Sequence, residues 1–156
     1  MPRRPPASIA LLALAALSGL VAAPLAANEP PITFGRDVMA VLSKAGCNAG
    51  NCHGNQNGKG GFKLSLRGQH PTEDYASLVR QHGGRRVDLL APEESLTLRK
   101  ATGQVAHLGG TRFRPGDLEY RIVRHWLAAG APPPAPHPRQ LVSLQVSPAE
   151  AVTFGA

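Results

Sequence analysis

The segment from Ala45 to Gly54 contains the residues that could do chemistry in this chain. Cys47, Cys52 and His53 form the pattern Cys-x-x-x-x-Cys-His, and the four residues between the cysteines are small. A pair of thiols can add to the two vinyl groups of a haem, and an adjacent imidazole can bind the iron. The pattern therefore predicts one covalently attached haem c, with Cys47 and Cys52 as thioether attachment points and His53 as the proximal iron ligand.

Three other uses of these residues stay open at the level of sequence. A disulfide between Cys47 and Cys52 is chemically possible in an exported protein, but it leaves His53 without a role. A zinc site would need these residues and a further histidine, with adjacent Cys and His binding one ion, which is geometrically awkward. A nucleophilic Cys–His pair would need a base positioned across a site, and no second motif indicates one.

A haem iron that only transfers electrons usually has a sixth ligand, Met or His. His107 is the candidate distal ligand, because it lies in a Gly-containing loop shortly before the last predicted helix. Met39 is expected to fill the core, since it lies in a helix too near the Cys-His motif to reach the opposite face. The alternative is a site open at the sixth position, as in a peroxidase. The remaining histidines are expected at the surface: His70, His82, His125 and His137.

The basic side chains are scattered along the chain. Without residues 1–27, Lys and Arg fall from 17 to 15 against 10 Asp and Glu, which leaves a net charge of +5. Nucleic-acid binding is not expected, because the arginines are not gathered with aromatic residues. The expected partner is either a redox protein, whose acidic surface would complement this basic chain, or downstream domains of the same polypeptide. Four arginines are candidates for pairing with haem propionates, although each could instead be a solvated surface residue: Arg67, Arg85, Arg86 and Arg112.

Helices are the elements expected to position these residues. Apolar spacing near 3.6 residues, together with helix-start and helix-stop residues, predicts helices over about 34–44, 71–81, 92–100 and 117–130. A Gly- and Asn-rich irregular loop is expected over 50–61. Only 4% of the residues are aromatic, so a buried macrocycle would help to fill an all-α core.

The first 27 residues have the character of a secretory signal peptide. Arg3 and Arg4 precede a run of Ala and Leu, and small residues at Ala23, Ala26 and Ala27 offer cleavage sites. The alternative is an uncleaved membrane anchor, which is the one case in which a membrane would be a partner. In either case we expect export, with a periplasmic or cell-surface location.

The end of the chain differs in composition from the middle. Five prolines within residues 132–138 indicate a stiff linker over 132–139. After the linker, Val142, Leu144 and Val146 alternate with other residues as in a β-strand. We therefore expect a helical domain over 32–131 and, over 140–156, the start of an immunoglobulin-like β-sandwich domain that the sequence contains only as a fragment.

Several motifs together resemble the planctomycete-type cytochrome c domain, over about residues 32–132. They are the Cys-His motif, the segment Gly58–Gly68 with Gly60-Gly61-Phe62, the loop at His107, and the last helix with Trp126-Leu127-Ala128-Ala129-Gly130. In that family the domain begins large secreted proteins, often followed by immunoglobulin-like domains. The resemblance implies an all-α cytochrome c fold, a covalent haem c and electron transfer.

Two features depart from the usual pattern of that family, which has two residues between the cysteines and a Met in the loop before the last helix. Here four residues separate the cysteines, and His107 stands in that loop. The second departure implies bis-histidine ligation, which generally lowers the reduction potential.

The sequence thus predicts a c-type cytochrome domain that transfers single electrons outside the cytoplasm and is not itself an enzyme. The expected fold is a small cytochrome c-like helical domain around the haem, followed by the proline linker and the first strand of a truncated β-sandwich. The alternative function is a haem-free structural leader, stapled by a disulfide, of a larger secreted protein.

Overall fold

The computed structural model describes residues 30–136 and 142–147. Residues 31–136 and 142–147 belong to one unit, which begins at Pro31. Its regular structure consists of short helices, and its longest helix is Leu118–Ala128. Long stretches without regular structure connect the helices and carry most of the candidate site residues.

The first helical segment starts with a π-helical stretch, Phe34–Val38, which continues directly into α1, Met39–Lys44. The carboxylate of Asp37 accepts a hydrogen bond of 2.6 Å from the backbone N–H of Thr33, which fixes the start of the segment. Phe34, Val38 and Leu42 are all buried. Their spacing of four residues places them on one face, so this face is directed at the core.

The second segment also combines α-helical and π-helical turns, in the opposite order. Pro71 starts α2, Pro71–Tyr75, because a proline needs no hydrogen-bond partner at the first helical position. A π-helical stretch, Ala76–Arg80, and a 3-10 turn, Gln81–Gly84, follow it. Further 3-10 turns are Leu66–Gly68 and Pro92–Glu94, and the latter leads to α3, Leu96–Ala101.

The last helix, α4, spans Leu118–Ala128 and contributes Trp126 to the centre of the core. The indole ring lies 5.3 Å from the ring of Phe34, and Phe34 meets Tyr75 edge to face at 5.4 Å. The Tyr75 hydroxyl donates a hydrogen bond to the carbonyl of Ala131. One aromatic cluster thus joins the first, second and last helical segments, although the chain has few aromatic residues.

The predicted fold class, a helical domain followed by the first strand of a β-sandwich, is wrong. The regular structure of the described residues is helical and includes no sheet, only an isolated antiparallel bridge between Lys59 and Phe62. Val142, Leu144 and Val146 belong to no strand, and 96%, 75% and 68% of their surface is exposed. Alternating apolar residues form a strand only when a neighbouring strand pairs with them, and no described residue does so.

The other end-of-chain predictions lie mostly outside the described residues. The predicted signal peptide over 1–27 does so entirely, as do residues 137–139 of the linker and residues 140–141 and 148–156 of the predicted β-domain. Within the described ranges, no helix combines the length and the apolar character needed to cross a bilayer.

Candidate functional site

The Cys-His motif forms a compact loop after α1. The left-handed conformation of Gly46, with φ of 73°, ends the helix, and the backbone N–H of Cys47 still bonds to the carbonyl of Leu42. The N–H of His53 donates to the carbonyl of Cys47 at 3.0 Å, which closes the loop on itself. A Cβ at Gly54 would lie only 2.0 Å from a backbone carbonyl oxygen, so only glycine fits there. The loop therefore holds Cys47 beside His53.

His53 is held by the segment that follows it. Its Nδ1 donates a hydrogen bond of 3.0 Å to the carbonyl of Phe62, because a carbonyl oxygen can only accept. The Phe62 ring packs against the imidazole with the ring centres 4.6 Å apart. Burial lowers the pKa of His53, although the hydrogen bonds to backbone carbonyls oppose this shift. The neutral ring thus keeps its lone pair on Nε2, which is the form that binds a metal.

His107 has the same arrangement in a different loop. Its Nδ1 donates to the carbonyl of Gly110 at 3.0 Å, and the N–H of Gly110 donates back to the carbonyl of His107 at 2.9 Å. Gly110 has φ of 70°, which the tight turn requires. Lys100 holds the start of the loop through a hydrogen bond from its Nζ to the carbonyl of Ala106. Here too, Nε2 is the ring nitrogen left for another partner.

The two imidazoles lie opposite each other. Their ring centres are 6.4 Å apart and their planes differ by only 6°. If one metal ion lay about 2 Å from a nitrogen of each ring, the ring centres would be roughly 6 Å apart. The observed separation of His53 and His107 is close to that distance, so one iron between the two rings could be bound by both.

Cys47 and Cys52 are free thiols in the structure. Burial raises the pKa of Cys47 to about 11, while the nearby charge of Arg112 opposes the shift. Arg112 also donates a weak hydrogen bond from its guanidinium to the sulfur of Cys52 at 3.6 Å. At neutral pH Cys47 is therefore a protonated thiol, and neither sulfur is engaged in a disulfide.

These four residues line one cavity of about 570 Å³, which we call the Cys–His cavity. This volume lies within the range of roughly 300 to 1,000 Å³ that is usual for cofactor and ligand sites. Part of the wall is apolar and aromatic: Leu42, Phe62, Ala101, Phe113 and Val123. A cavity of this size with two thiols, two facing imidazoles and an apolar wall fits a haem.

The structure thus brings the four predicted site residues together, while the roles assigned to them stay predictions. Within the described residues, no group of three or more His, Cys, Asp or Glu side chains is arranged to hold a bare metal ion. A haem places a smaller demand on the protein, because its macrocycle supplies four of the iron ligands. His53 and His107 could therefore be the protein's ligands to a haem iron.

The other candidates lie away from the cavity or at its wall. Met39 is buried in the core cluster, and the three remaining described histidines are exposed: His70, His82 and His125. His137 lies outside the described residues. Of the four arginines proposed for propionate pairing, only Arg67 does not line the cavity.

Sequence reasoning missed the groups that hold the two histidines. The carbonyl of Phe62 is nine residues from His53, and no local motif indicates that contact. The carbonyl of Gly110 is only three residues from His107, so the two glycines of that loop could have indicated a tight turn. Lys59 and Lys100, which also line the cavity, gave no signal in the sequence.

Comparison with known proteins adds no relative to this picture. No protein-family model matches the chain, and no curated protein or solved structure matches it either.

Proposed function

We propose that this domain binds one haem c covalently and transfers single electrons. In this proposal Cys47 and Cys52 carry the thioether bonds, and His53 and His107 are the proximal and distal iron ligands. The observation that carries it is the pair of near-parallel imidazoles, 6.4 Å apart, on a cavity that also contains both free thiols. The sequence resemblance to planctomycete-type cytochrome c domains supports the same assignment.

When bound, the haem supplies an iron that takes up and releases one electron. The contribution of the protein is to place and tune its ligands. Each histidine donates its Nδ1–H to a backbone carbonyl, which leaves Nε2 as the ring nitrogen available to a metal. A second imidazole in place of a methionine lowers the reduction potential.

The remaining residues of the cavity exclude water and place charge. Phe113 and Val123 are buried and give the cavity an apolar wall, which lowers the local dielectric constant. Arg85, Arg86 and Arg112 line the same cavity and are the candidates for binding the haem propionates. We assign no substrate conversion to the domain, which in this proposal is an electron carrier.

The predicted signal peptide supports export, so we place the domain in the periplasm or on the cell surface. This compartment is where thioether attachment of haem takes place in bacteria with the required machinery. Its electron partner is either a separate redox protein or a further domain of the same polypeptide.

Intact mass after export tests this proposal directly. The chain is expressed in a bacterial host with haem-attachment machinery, and the purified protein is weighed before and after treatment with a thiol-alkylating reagent. We expect the added mass of one haem, no alkylation of Cys47 or Cys52, and a Soret band that survives acid–acetone extraction. The Cys47→Ser/Cys52→Ser double variant should lose the covalent haem, and each single variant should keep one thioether.

A colourless product with its two sulfurs joined in a disulfide would contradict the proposal. That outcome would favour the haem-free structural leader instead. A haem that is bound but fully removed by acid–acetone would also contradict it, because the thiols would then have no role in attachment.

A further inference from the structure

Charge is distributed unevenly around the Cys–His cavity. The residues that line it include no Asp or Glu at all. They include five of the 14 Lys and Arg side chains in the described ranges, whereas those ranges also contain eight carboxylate side chains. The five are Lys59, Arg85, Arg86, Lys100 and Arg112.

Seven of the eight carboxylates in the described residues are engaged elsewhere. Four of them form ion pairs with cations outside the cavity, and the pairs are Arg36–Asp37, Lys44–Glu119, Arg99–Glu94 and Arg124–Glu93. Asp74 binds Ser65, and Asp88 and Asp117 accept hydrogen bonds from backbone N–H groups near them. None of the five cavity cations forms an ion pair with a described residue.

One of these cations is buried, and the others reach the surface to different degrees. Arg86 is only 8% exposed, and its guanidinium donates to the carbonyls of Gly61 and Ser77. These carbonyls satisfy its N–H groups but do not neutralise its charge. Lys59 and Arg85 are exposed, so their charges lie at the mouth of the cavity, in contact with solvent.

A bound haem would neutralise only part of this charge, because it carries two propionates against five cations. Leu108 lies at the same mouth, directly after His107, and is fully exposed. An apolar contact surrounded by charged residues is the usual arrangement of a protein–protein interface. Charge complementarity in such a place accelerates the encounter of two proteins.

We propose that the mouth of the Cys–His cavity is the docking surface for an acidic protein that exchanges electrons with this domain. The surface consists of Lys59, Arg85, Lys100 and Leu108. This inference rests on the proposed function, because it assigns the partner of the same site. An acidic surface on the partner is the chemistry that these unpaired cations recognise, and Leu108 provides an exposed apolar contact beside them.

The experiment compares two single variants of equal charge. Lys59→Glu changes the mouth of the cavity, and Lys63→Glu changes an exposed cation that does not line it. For each reduced haem protein, stopped-flow absorbance measures oxidation by anionic hexacyanoferrate(III) and by cationic tris(phenanthroline)cobalt(III), each of which accepts one electron. Binding to immobilised poly-L-glutamate is measured on the same proteins at several salt concentrations, and haem content is determined for each.

At low salt we expect the cavity variant to react about tenfold more slowly with hexacyanoferrate(III) and faster with the cobalt complex, since local charge steers the encounter. Its binding to poly-L-glutamate should weaken about tenfold, whereas the control variant should change less than twofold in all three measurements. Equal effects in the two variants would overturn the proposal, because the charge of the whole molecule would then suffice. Unchanged rates and binding in the cavity variant would overturn it as well.

The proposed function can fail separately. If no haem is attached, the mass and the absorbance spectrum of the colourless protein show it. Binding of the colourless protein to poly-L-glutamate still measures whether the mouth of the cavity binds anions. If both variants have the haem content of the wild-type protein but do not differ in oxidation rates or in binding to poly-L-glutamate, the docking surface alone is overturned.

Discussion

Two cavities of this molecule differ in how their polar groups are used. The second cavity, of about 370 Å³, is lined by Ser65, Asp74 and Ser77 among others. There, the buried carboxylate of Asp74 accepts hydrogen bonds of 2.5 and 2.6 Å from the N–H and the hydroxyl of Ser65. The hydroxyl of Ser77 donates to the carbonyl of Lys63. The hydrogen-bonding capacity of these three side chains is thus used within the protein, and their hydrogen bonds stabilise the fold.

In the Cys–His cavity, internal hydrogen bonds occupy only one nitrogen of each histidine. The carbonyls of Phe62 and Gly110 take the Nδ1 protons, which leaves the Nε2 atoms and the thiol of Cys47 for another partner. Both imidazoles are partly exposed, so these Nε2 atoms are accessible to a ligand as well as free of internal hydrogen bonds. Polar residues on a cavity wall therefore do not by themselves indicate a binding site. What indicates one is that their ligand-binding atoms are left without an internal hydrogen bond.

The largest expected effect separates the histidines of the two cavities. His107→Ala should remove the sixth ligand, so that the absorbance spectrum changes from low-spin six-coordinate to high-spin or water-ligated iron. His70→Ala, at the wall of the second cavity, should leave the spectrum unchanged because its ring is exposed. Absorbance and electron paramagnetic resonance of the purified proteins measure this. An unaltered spectrum in His107→Ala would show that the site is open and would favour a peroxidase-like function.

The next effect should appear in stability and not in the spectrum. Asp74→Ala leaves the N–H and hydroxyl of Ser65 without their acceptor, and we expect the free energy of unfolding to fall by about 3 kcal/mol. Glu73→Ala, an exposed carboxylate on the same wall, is the matched control and should change it by less than about 0.5 kcal/mol. Urea unfolding followed by circular dichroism measures both. If the folded Asp74→Ala protein lost iron ligation, the conclusion that the second cavity only stabilises the fold would be contradicted.

The helices are the part of the fold that local pattern predicts well. The first helical segment begins at Phe34 and ends at Lys44, because apolar residues four apart define a buried face and Gly46 ends the helix. The described residues near Val142 have the alternating pattern but form no strand, for a physical reason. Apolar alternation is a local property, whereas a strand depends on a partner that the local sequence does not specify.

The candidate site was predictable in its ligands but not in their supports. The thiols and His53 are adjacent in sequence, so their type and spacing indicate the chemistry directly. The pairing of His53 with His107 spans 54 residues, and the charge of the cavity wall comes from several separate segments. Such long-range contacts depend on tertiary packing, and no short motif encodes them.

The smallest expected effect concerns Cys47 in the haem-free chain. It tests whether the Cys47 thiol is buried in the Cys–His cavity, as the comparison of the two cavities assumes. Burial raises its pKa from 9.0 to about 11 in the folded protein, so the folded state holds this proton more tightly than the unfolded state does. The resulting stability is complete below pH 9 and is lost as the pH rises towards 11, by about 2 kcal/mol. Urea unfolding between pH 7 and 11 measures the loss.

Lysines and tyrosines also titrate in this range, so the quantity to compare is the difference between the wild-type protein and Cys47→Ala. The variant should lose less stability between pH 9 and 11, because it has no thiol to ionise at this position. Parallel stability curves for the two proteins would mean that the Cys47 sulfur is solvated in the folded state. The Cys47 thiol would then be in contact with water. It could no longer be counted as a buried group of the Cys–His cavity in the comparison with the buried groups of the second cavity.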